Sequence, residues 1–369
     1  MDTATATLNP PSSSTNHAPK SAIKTTVNPW LMPALVATLL ITLVVSVGIG
    51  ALRITPYEIG LIIAKSLGYS VDVDSTKEAI LLAIRLPRVC LAVLVGAGLA
   101  ISGAAIQGLF RNPLADPGLI GISSGASLAA VMMIVLEVKF FQTLTGVLGI
   151  YALSVVAFVG ACATAFLVYR IARMAGKDVI TTMLLTGIAI NALSGALTGI
   201  MTYLATDEQL RNITFWSLGS LGGASWASVL GILPFTIVAL VGIPRLAKSL
   251  NLLSLGESQA SMLGVNLKSI KRQVIIFSTM AVGTSVAVAG IIGFVGLVIP
   301  HLIRMGAGSD HRRVLTGSAL GGAIVLTLAD SLARTIVAPA ELPIGILTAL
   351  IGTPVFLWIL FRERRRAGV

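Results

Sequence analysis

Arg245-Leu-Ala-Lys248-Ser-Leu-Asn-Leu-Leu-Ser-Leu-Gly256-Glu257-Ser-Gln-Ala260-Ser-Met-Leu263-Gly264-Val-Asn-Leu-Lys268-Ser-Ile-Lys271-Arg272-Gln273 is a basic, polar run inside a chain that is otherwise apolar enough to sit in lipid. Of the 369 residues, 55% are hydrophobic and only 11% charged, where a soluble domain carries about 25% charged residues. No soluble core needs that much apolar surface, so the fold class is an all-α polytopic membrane protein, and the run is a loop between two spans. Its centre, 256–264, has helical spacing, with Ala260 and Leu263 on a weakly apolar side and Glu257 and Ser261 on the other. The spacing predicts a short ordered helix that docks another protein on the cytoplasmic side.

Outward from this loop the chain divides into segments of about 20 apolar residues, the length that crosses a bilayer. Spans are expected at 30–52, 89–110, 114–136, 146–169, 179–204 and 226–244 before the loop. After it, 274–305 is too long for one span; Gly290, Gly293 and Gly296 divide it in two. Spans at 314–332 and 344–361 complete ten transmembrane helices. Pro87 is expected to open the second span, since proline suits a first helical turn. Short helices are expected at 56–66 and at 215–220 within polar connections, and polar turns at 137–145 and 334–343. Residues 1–28, rich in Thr, Ser and Pro, lack the apolar core of a signal peptide and read as a disordered cytoplasmic tail. Residues 29–366 read as one transmembrane domain containing the loop 245–273. With both termini inside, most of the 26 Lys and Arg residues fall on the cytoplasmic side, as the positive-inside rule requires.

The net charge of +11 is therefore a topology signal, not a sign of nucleic-acid binding. Cys90 and Cys162 lie in apolar runs as small buried hydrophobes. His17, His301 and His311 are scattered, so no metal site and no cofactor is expected. There is no Walker A pattern and no catalytic triad, so no enzyme activity is expected. Acidic residues at span depth, which mark ion coupling, are scarce. Asp330 can pair with Arg334 one helical turn on, and Asp116 sits at a proline-rich membrane edge. A membrane pathway without its own energy source calls for an energising partner. On the outer side, Arg85, Arg88 and Arg334 can form bidentate pairs with a partner's carboxylates, or serve as ordinary interfacial anchors. Gly121/Gly125, Gly195/Gly199 and Gly317/Gly321 allow close helix crossings, read as internal packing. The runs 102–113 and 289–300 hint at an inverted internal repeat.

The runs Ile84-Arg85-Leu86-Pro87-Arg88, Gln107-Gly-Leu-Phe-Arg-Asn-Pro-Leu-Ala-Asp-Pro-Gly118 and Gly121-Ile-Ser-Ser-Gly-Ala126 resemble the FecCD family. So do Leu255-Gly-Glu257 to Leu263-Gly-Val265, Gly293-Phe-Val-Gly-Leu-Val-Ile-Pro-His301 and Ala340-Glu-Leu-Pro-Ile-Gly345. These are permease subunits of ABC importers for iron chelates, haem and cobalamin. The resemblance spans 30–366 and implies a type II ABC importer permease fold of the cobalamin-permease kind, in the bacterial inner membrane. It implies a second permease subunit forming a homodimer, two cytoplasmic ATPase subunits, and a periplasmic or lipid-anchored substrate-binding protein. By position, Arg85, Arg88 and Arg334 match the outer arginines that meet glutamates on the binding protein. Gly256, Glu257, Ala260, Leu263 and Gly264 match the helix that couples to the ATPase. Ile180 and Thr181 match the inner gate. The runs 187–193 and 214–221 look most like haem permeases, with siderophore and cobalamin permeases as alternatives. An ion-coupled secondary transporter is a more distant alternative.

Overall fold

The computed structural model describes residues 29–50, 52–137, 141–174, 179–338 and 340–367. The expected tail 1–28, Lys139 and the 175–178 part of the expected basic loop 170–178 lie outside them. Among the described residues every regular element is a helix. In order, it runs through α1 (Leu31–Gly48), α2 (Pro56–Ser66), α3 (Ser75–Ala79), α4 (Leu86–Phe110), α5 (Ile122–Leu136), α6 (Gln142–Leu148), α7 (Ala152–Met174) and α8 (Val179–Tyr203). It continues with α9 (Asp207–Leu218), α10 (Trp226–Arg245), α11 (Ala247–Leu253), α12 (Glu257–Met262), α13 (Leu267–Ala289), α14 (Val295–Ala307), α15 (His311–Ala333) and α16 (Ile344–Ala367). Eight helical stretches are long and apolar enough to cross a membrane, and the shorter apolar helices α5 and α14 bring the set to ten. The protein is thus a multi-pass, all-α membrane protein.

Helix α4 is the mast of the fold. Its apolar window is 89% buried, against 17% for α1 and α8. Helices α10, α13, α14 and α15 pack along it, which is the fate of a helix that is apolar all round. One crossing requires glycine: a Cβ on Gly103 would stand 1.8 Å from the carbonyl oxygen of Gly296 on α14. Backbone cannot yield as a side chain can, so Gly103→Val is expected to cost at least the 1–3 kcal/mol (roughly) of an overpacked core. Thermal unfolding in detergent would register this, whereas Gly60→Ala, where nothing lies within 4 Å of the added Cβ, should be neutral or stabilising.

The second span departs from expectation. Pro87 lies in the first turn of α4, as expected, but the chain is already helical before it. The helix is continuous over Ser75–Phe110, 36 residues, and passes through a π-helical stretch at Ile80–Arg85, where the Leu86 N–H reaches back five residues to the Leu81 carbonyl. In that wider register Pro87 would face the Leu82 carbonyl, and proline has no N–H to give it. The indole Nε1–H of Trp226, at the start of α10, donates to Leu82 O at 2.9 Å instead. The helix keeps its proline because another helix supplies the missing donor.

Other boundaries moved less. The expected 114–136 span is cut at Gly121 (φ 85°) into a 3₁₀ turn, Pro117–Ile120, and α5. The expected turn at 137–145 is already helical from Gln142. The break at Gly290 is as expected: α13 ends there and α14 starts after Phe294. The two runs of the suggested repeat do not share local structure. Residues 102–110 finish α4, while 290–294 are a non-helical link. Helix α2 begins with a full capping box, Thr55 and Glu58 bonding each other's backbone N–H. The Lys77 ammonium, 2.5 Å from Glu58, and then the Thr55 bonds hold that carboxyl down to about 2.

Candidate functional site: an ionic cluster at one end, an apolar key at the other

The alternating directions of the spans put residues 85, 88, 330, 334 and 341 at one end of the bundle and 256–264 at the other. At the first end the three expected arginines meet, but not on an open surface. Arg85 is 4% exposed and Arg88 6%. The Arg85 guanidinium donates to the carbonyls of Val47 (2.7 Å), Gly48 (3.0 Å) and Leu52. It therefore closes the C-terminus of α1, where orphan carbonyls and the helix dipole favour a cation. Arg88 Nε donates to Asp330 Oδ1 at 2.8 Å, and its Nη1 to Glu341 Oε1 at 2.6 Å. Arg334 approaches Asp330 Oδ2 at 3.4 Å and donates to the Ser46 carbonyl and hydroxyl at 2.6 and 2.9 Å.

Asp330 is wholly buried between Arg88 and Arg334, and Glu341 has 42% of its side chain exposed. The pairing of Asp330 with Arg334 was readable from their spacing. That of Arg88 was not, because its partners lie 242 and 253 residues further on. Glu341 belongs to a motif that the sequence flagged without giving this residue a role.

At the other end the helix expected at 256–264 forms as α12. Gly256, at φ 120° and ψ 152°, takes a backbone conformation open essentially to glycine alone, and it turns the chain sharply into the helix. The expected pairing of Ala260 with Leu263 on one apolar side is corrected. Ala260 is fully buried against the protein itself, while Leu263 is 58% exposed, beside Met262 at 85% and Leu255 at 61%. In a helix this short, three residues is nearly one turn, but Leu263 has already left the helix as its C-cap. Glu257 is partly exposed, and its carboxylate accepts from Lys271 Nζ at 2.8 Å, which fastens α12 to α13. Lys271, read as a topology signal, is thus a structural strut with 7% of its side chain exposed. Lys268 and Arg272 are exposed.

Behind this key sits a polar clasp that the sequence did not suggest. Asn251 of α11 donates through Nδ2 to Asp310 Oδ1 at 2.7 Å. Its Oδ1 accepts from the His311 backbone N–H (2.9 Å) and faces His311 Nδ1 at 2.8 Å, so the histidine proton sits on Nδ1. The Asn251 donor, followed by the Arg312 N–H, holds the Asp310 carboxyl below its ordinary range. Nearby, Gln107 joins α4 to α14, donating to Leu297 O (3.1 Å) and accepting from Arg304 (2.6 Å).

The expected gate residues lie at the start of α8, Ile180 half-buried and Thr181 exposed. Further along α8, Gly187 rests on the Leu119 carbonyl, and Asn191 bonds Gly118 O at 3.0 Å and Ser124 at 2.5 Å. Gly125 packs internally, against Gly160 and Thr164, and Gly317 and Gly321 against Ile303 and Ile299. Gly195 and Gly199 do not: nothing lies within 4 Å of a Cβ on either. Among the described residues no group of three or more His, Cys, Asp or Glu side chains is placed to hold a metal ion.

A model of the FecCD transport family matches residues 38–362. A hemin transport system permease protein of Yersinia pestis is 50% identical over 80% of this chain and 88% of its own length. A cobalamin import system permease protein of Halobacterium salinarum is 40% identical over 83% of this chain and 80% of its own. A solved structure described as an inward-facing ABC transporter of metal-chelate type has TM-score 0.79 and 33% identity. It covers 91% of this chain and 100% of the other.

Proposed function

We propose a function from one premise: this chain belongs to the FecCD transport family. It is the membrane-spanning permease subunit of an ATP-driven importer, and its cargo is haem. The permease lowers a barrier and breaks no covalent bond; hydrolysis belongs to separate ATPase subunits. The observation that carries the reading is α12, which presents Met262 and Leu263, with Leu255 just before it, at a polar end of a membrane protein. Apolar side chains held out there by a buried alanine and a fixed ion pair fit a cleft in another protein. When ATP closes the paired ATPases, α12 and residues 256–264 move with them, and the clasp at Asn251 hands the motion to α15.

A second copy of this chain is the partner in the membrane. The sparsely buried α8, with Gly195 and Gly199 facing open space, supports a close approach of helices there. The cargo passes between the copies, with Ile180 and Thr181 at the inner gate. The surface around Arg85, Arg88 and Arg334 takes the substrate-binding protein, and both termini lie in the cytoplasm of a bacterial inner membrane.

The substrate choice rests on the higher identity to the hemin permease than to the cobalamin permease. Proteoliposomes holding this permease and its ATPase, with the ATPase face and ATP inside and the binding protein outside, are expected to take up haem only when ATP is present. Uptake of cobalamin or a ferric siderophore instead would reassign the cargo. Uptake that follows an ion gradient without the ATPase would end the reading.

A further inference from the structure

The outer cluster holds three guanidinium groups, of Arg85, Arg88 and Arg334, and two carboxylates, of Asp330 and Glu341. Asp330 is sealed in, and the Arg88 and Arg334 side chains are only 7 and 8% exposed. Glu341 alone among the five combines contact with an arginine and substantial exposure. It lies over Arg88 from the solvent side, so a carboxylate arriving from outside meets Glu341 first.

We propose that Glu341 is a built-in competitor for the docking site, an internal carboxylate that occupies Arg88 until a carboxylate of the binding protein displaces it. This rests on the reading of the arginine cluster as the docking surface. The charge balance favours such an exchange. With Glu341 in place the cluster is net +1; with Glu341 turned out to water it is net +2 and attracts an anion, which then restores the balance. An exposed carboxylate loses little by returning to water, so the exchange is close to even, and the outcome is set by the partner's fit.

The position of Glu341 gives the exchange a consequence. Its Oε2 lies over Gly222, where an added Cβ would come within 2.8 Å, so it also covers the turn after α9. Three residues on, the Ile344 N–H donates to Gly219 O at 2.9 Å, and one residue on, the Leu342 N–H donates to Ala333 O at 3.0 Å. A Cβ on Gly345 would fall 2.3 Å from Leu218 O. The segment bearing Glu341 thus ties the end of α15, the end of α9 and the start of α16 together. Releasing Glu341 from Arg88 loosens α4 from that junction at the moment of docking.

The test is a double-mutant cycle on full-length permease in nanodiscs, with its ATPase bound. Its probe is the binding protein from the same cells that stimulates ATP hydrolysis by the reconstituted complex. Glu341→Gln, isosteric and partly exposed, is expected to tighten binding about tenfold at low salt. In an Arg88→Gln background the same substitution should change nothing, because there is no guanidinium left to compete for. Should R88Q be recovered unfolded, Arg88→Lys serves as the background, with a tightening well below tenfold expected. If Arg88→Gln weakens docking but E341Q leaves it unchanged, weakens it, or tightens it equally in both backgrounds, Glu341 is not a competitor, while the docking reading stands. If no substitution alters affinity, or no binding protein stimulates the complex, the docking reading fails and takes the competitor with it.

Discussion

Asp330→Ala is expected to cost the folded protein about 3–5 kcal/mol, the range for removing one member of a buried ion pair. The reason is the charge left behind. Asp330 is fully buried and faces Arg88 at 2.8 Å and Arg334 at 3.4 Å. Without it, Arg88 keeps only the partly exposed Glu341, and Arg334 keeps only the neutral groups of Ser46 and Ser331, while both arginine side chains stay more than nine-tenths buried. Desolvated guanidinium groups then repel one another with no carboxylate between them. Melting of the detergent-purified protein measures the loss, and Glu78→Ala provides the comparison. Glu78 pairs with Lys65 at 2.6 Å, but with side chains 24% and 40% exposed, so its removal should cost no more than about 1 kcal/mol. A melting shift for Asp330→Ala no larger than that for Glu78→Ala would mean the cluster is hydrated and its charges are independent. Adding Arg334→Met to Asp330→Ala should recover part of the loss, since it removes one stranded charge.

Met262→Asp combined with Leu263→Asp is expected to bring ATP-driven uptake down to the level seen without ATP, while the permease folds normally. Each apolar side chain contributes about 1.5–3 kcal/mol when fully buried, and both are largely exposed in the chain alone. On the proposed coupling role their burial belongs to the complex with the ATPase, where two carboxylates in the same cleft would add a desolvation penalty. Purified ATPase should retain its own hydrolysis, and the permease its melting temperature. Ala260→Trp answers a different question. Ala260 is fully buried, so a large side chain there disrupts α12's seat on the permease itself, and its first readout is stability. Normal uptake by the Met262/Leu263 double variant would remove α12 from the coupling path.

Much of the helix order was legible because its signals are local. Thr55-Pro56 and Glu58 announce α2 at its true first turn, and the glycines at 290, 293 and 296 divide a segment too long for one span. Asn266 and Asp310 cap α13 and α15 as short polar side chains do. What escaped was non-local. Pro87 carries a true rule about first turns, but the chain is already helical before it, and the missing donor comes from Trp226, 144 residues beyond Leu82 in sequence. Arginines at a span end look like reachable surface charges until their carboxylates are known, and for Arg88 those sit on α15 and in the connection after it. The side of α12 that faces out was misread because helical spacing groups Ala260 with Leu263, whereas the chain leaves the helix at Leu263. The inward pull on Ala260 comes from packing against α11 and α13.

The five-residue reach at Ile80–Arg85 also sets an angle. A widened turn behaves as one residue inserted into an otherwise regular helix, and one residue is worth about 100° of rotation. Everything before it is therefore turned by that amount relative to α4. Deleting a single residue between 80 and 85 would restore a plain helix and swing Leu81, now fully buried against Ile62, away from α2. Lys77 would leave Glu58 by the same rotation. The helix thus carries two clocks on one axle: α4 keeps the time of the membrane core, α3 keeps that of α2 outside it, and the inserted residue is the offset between them.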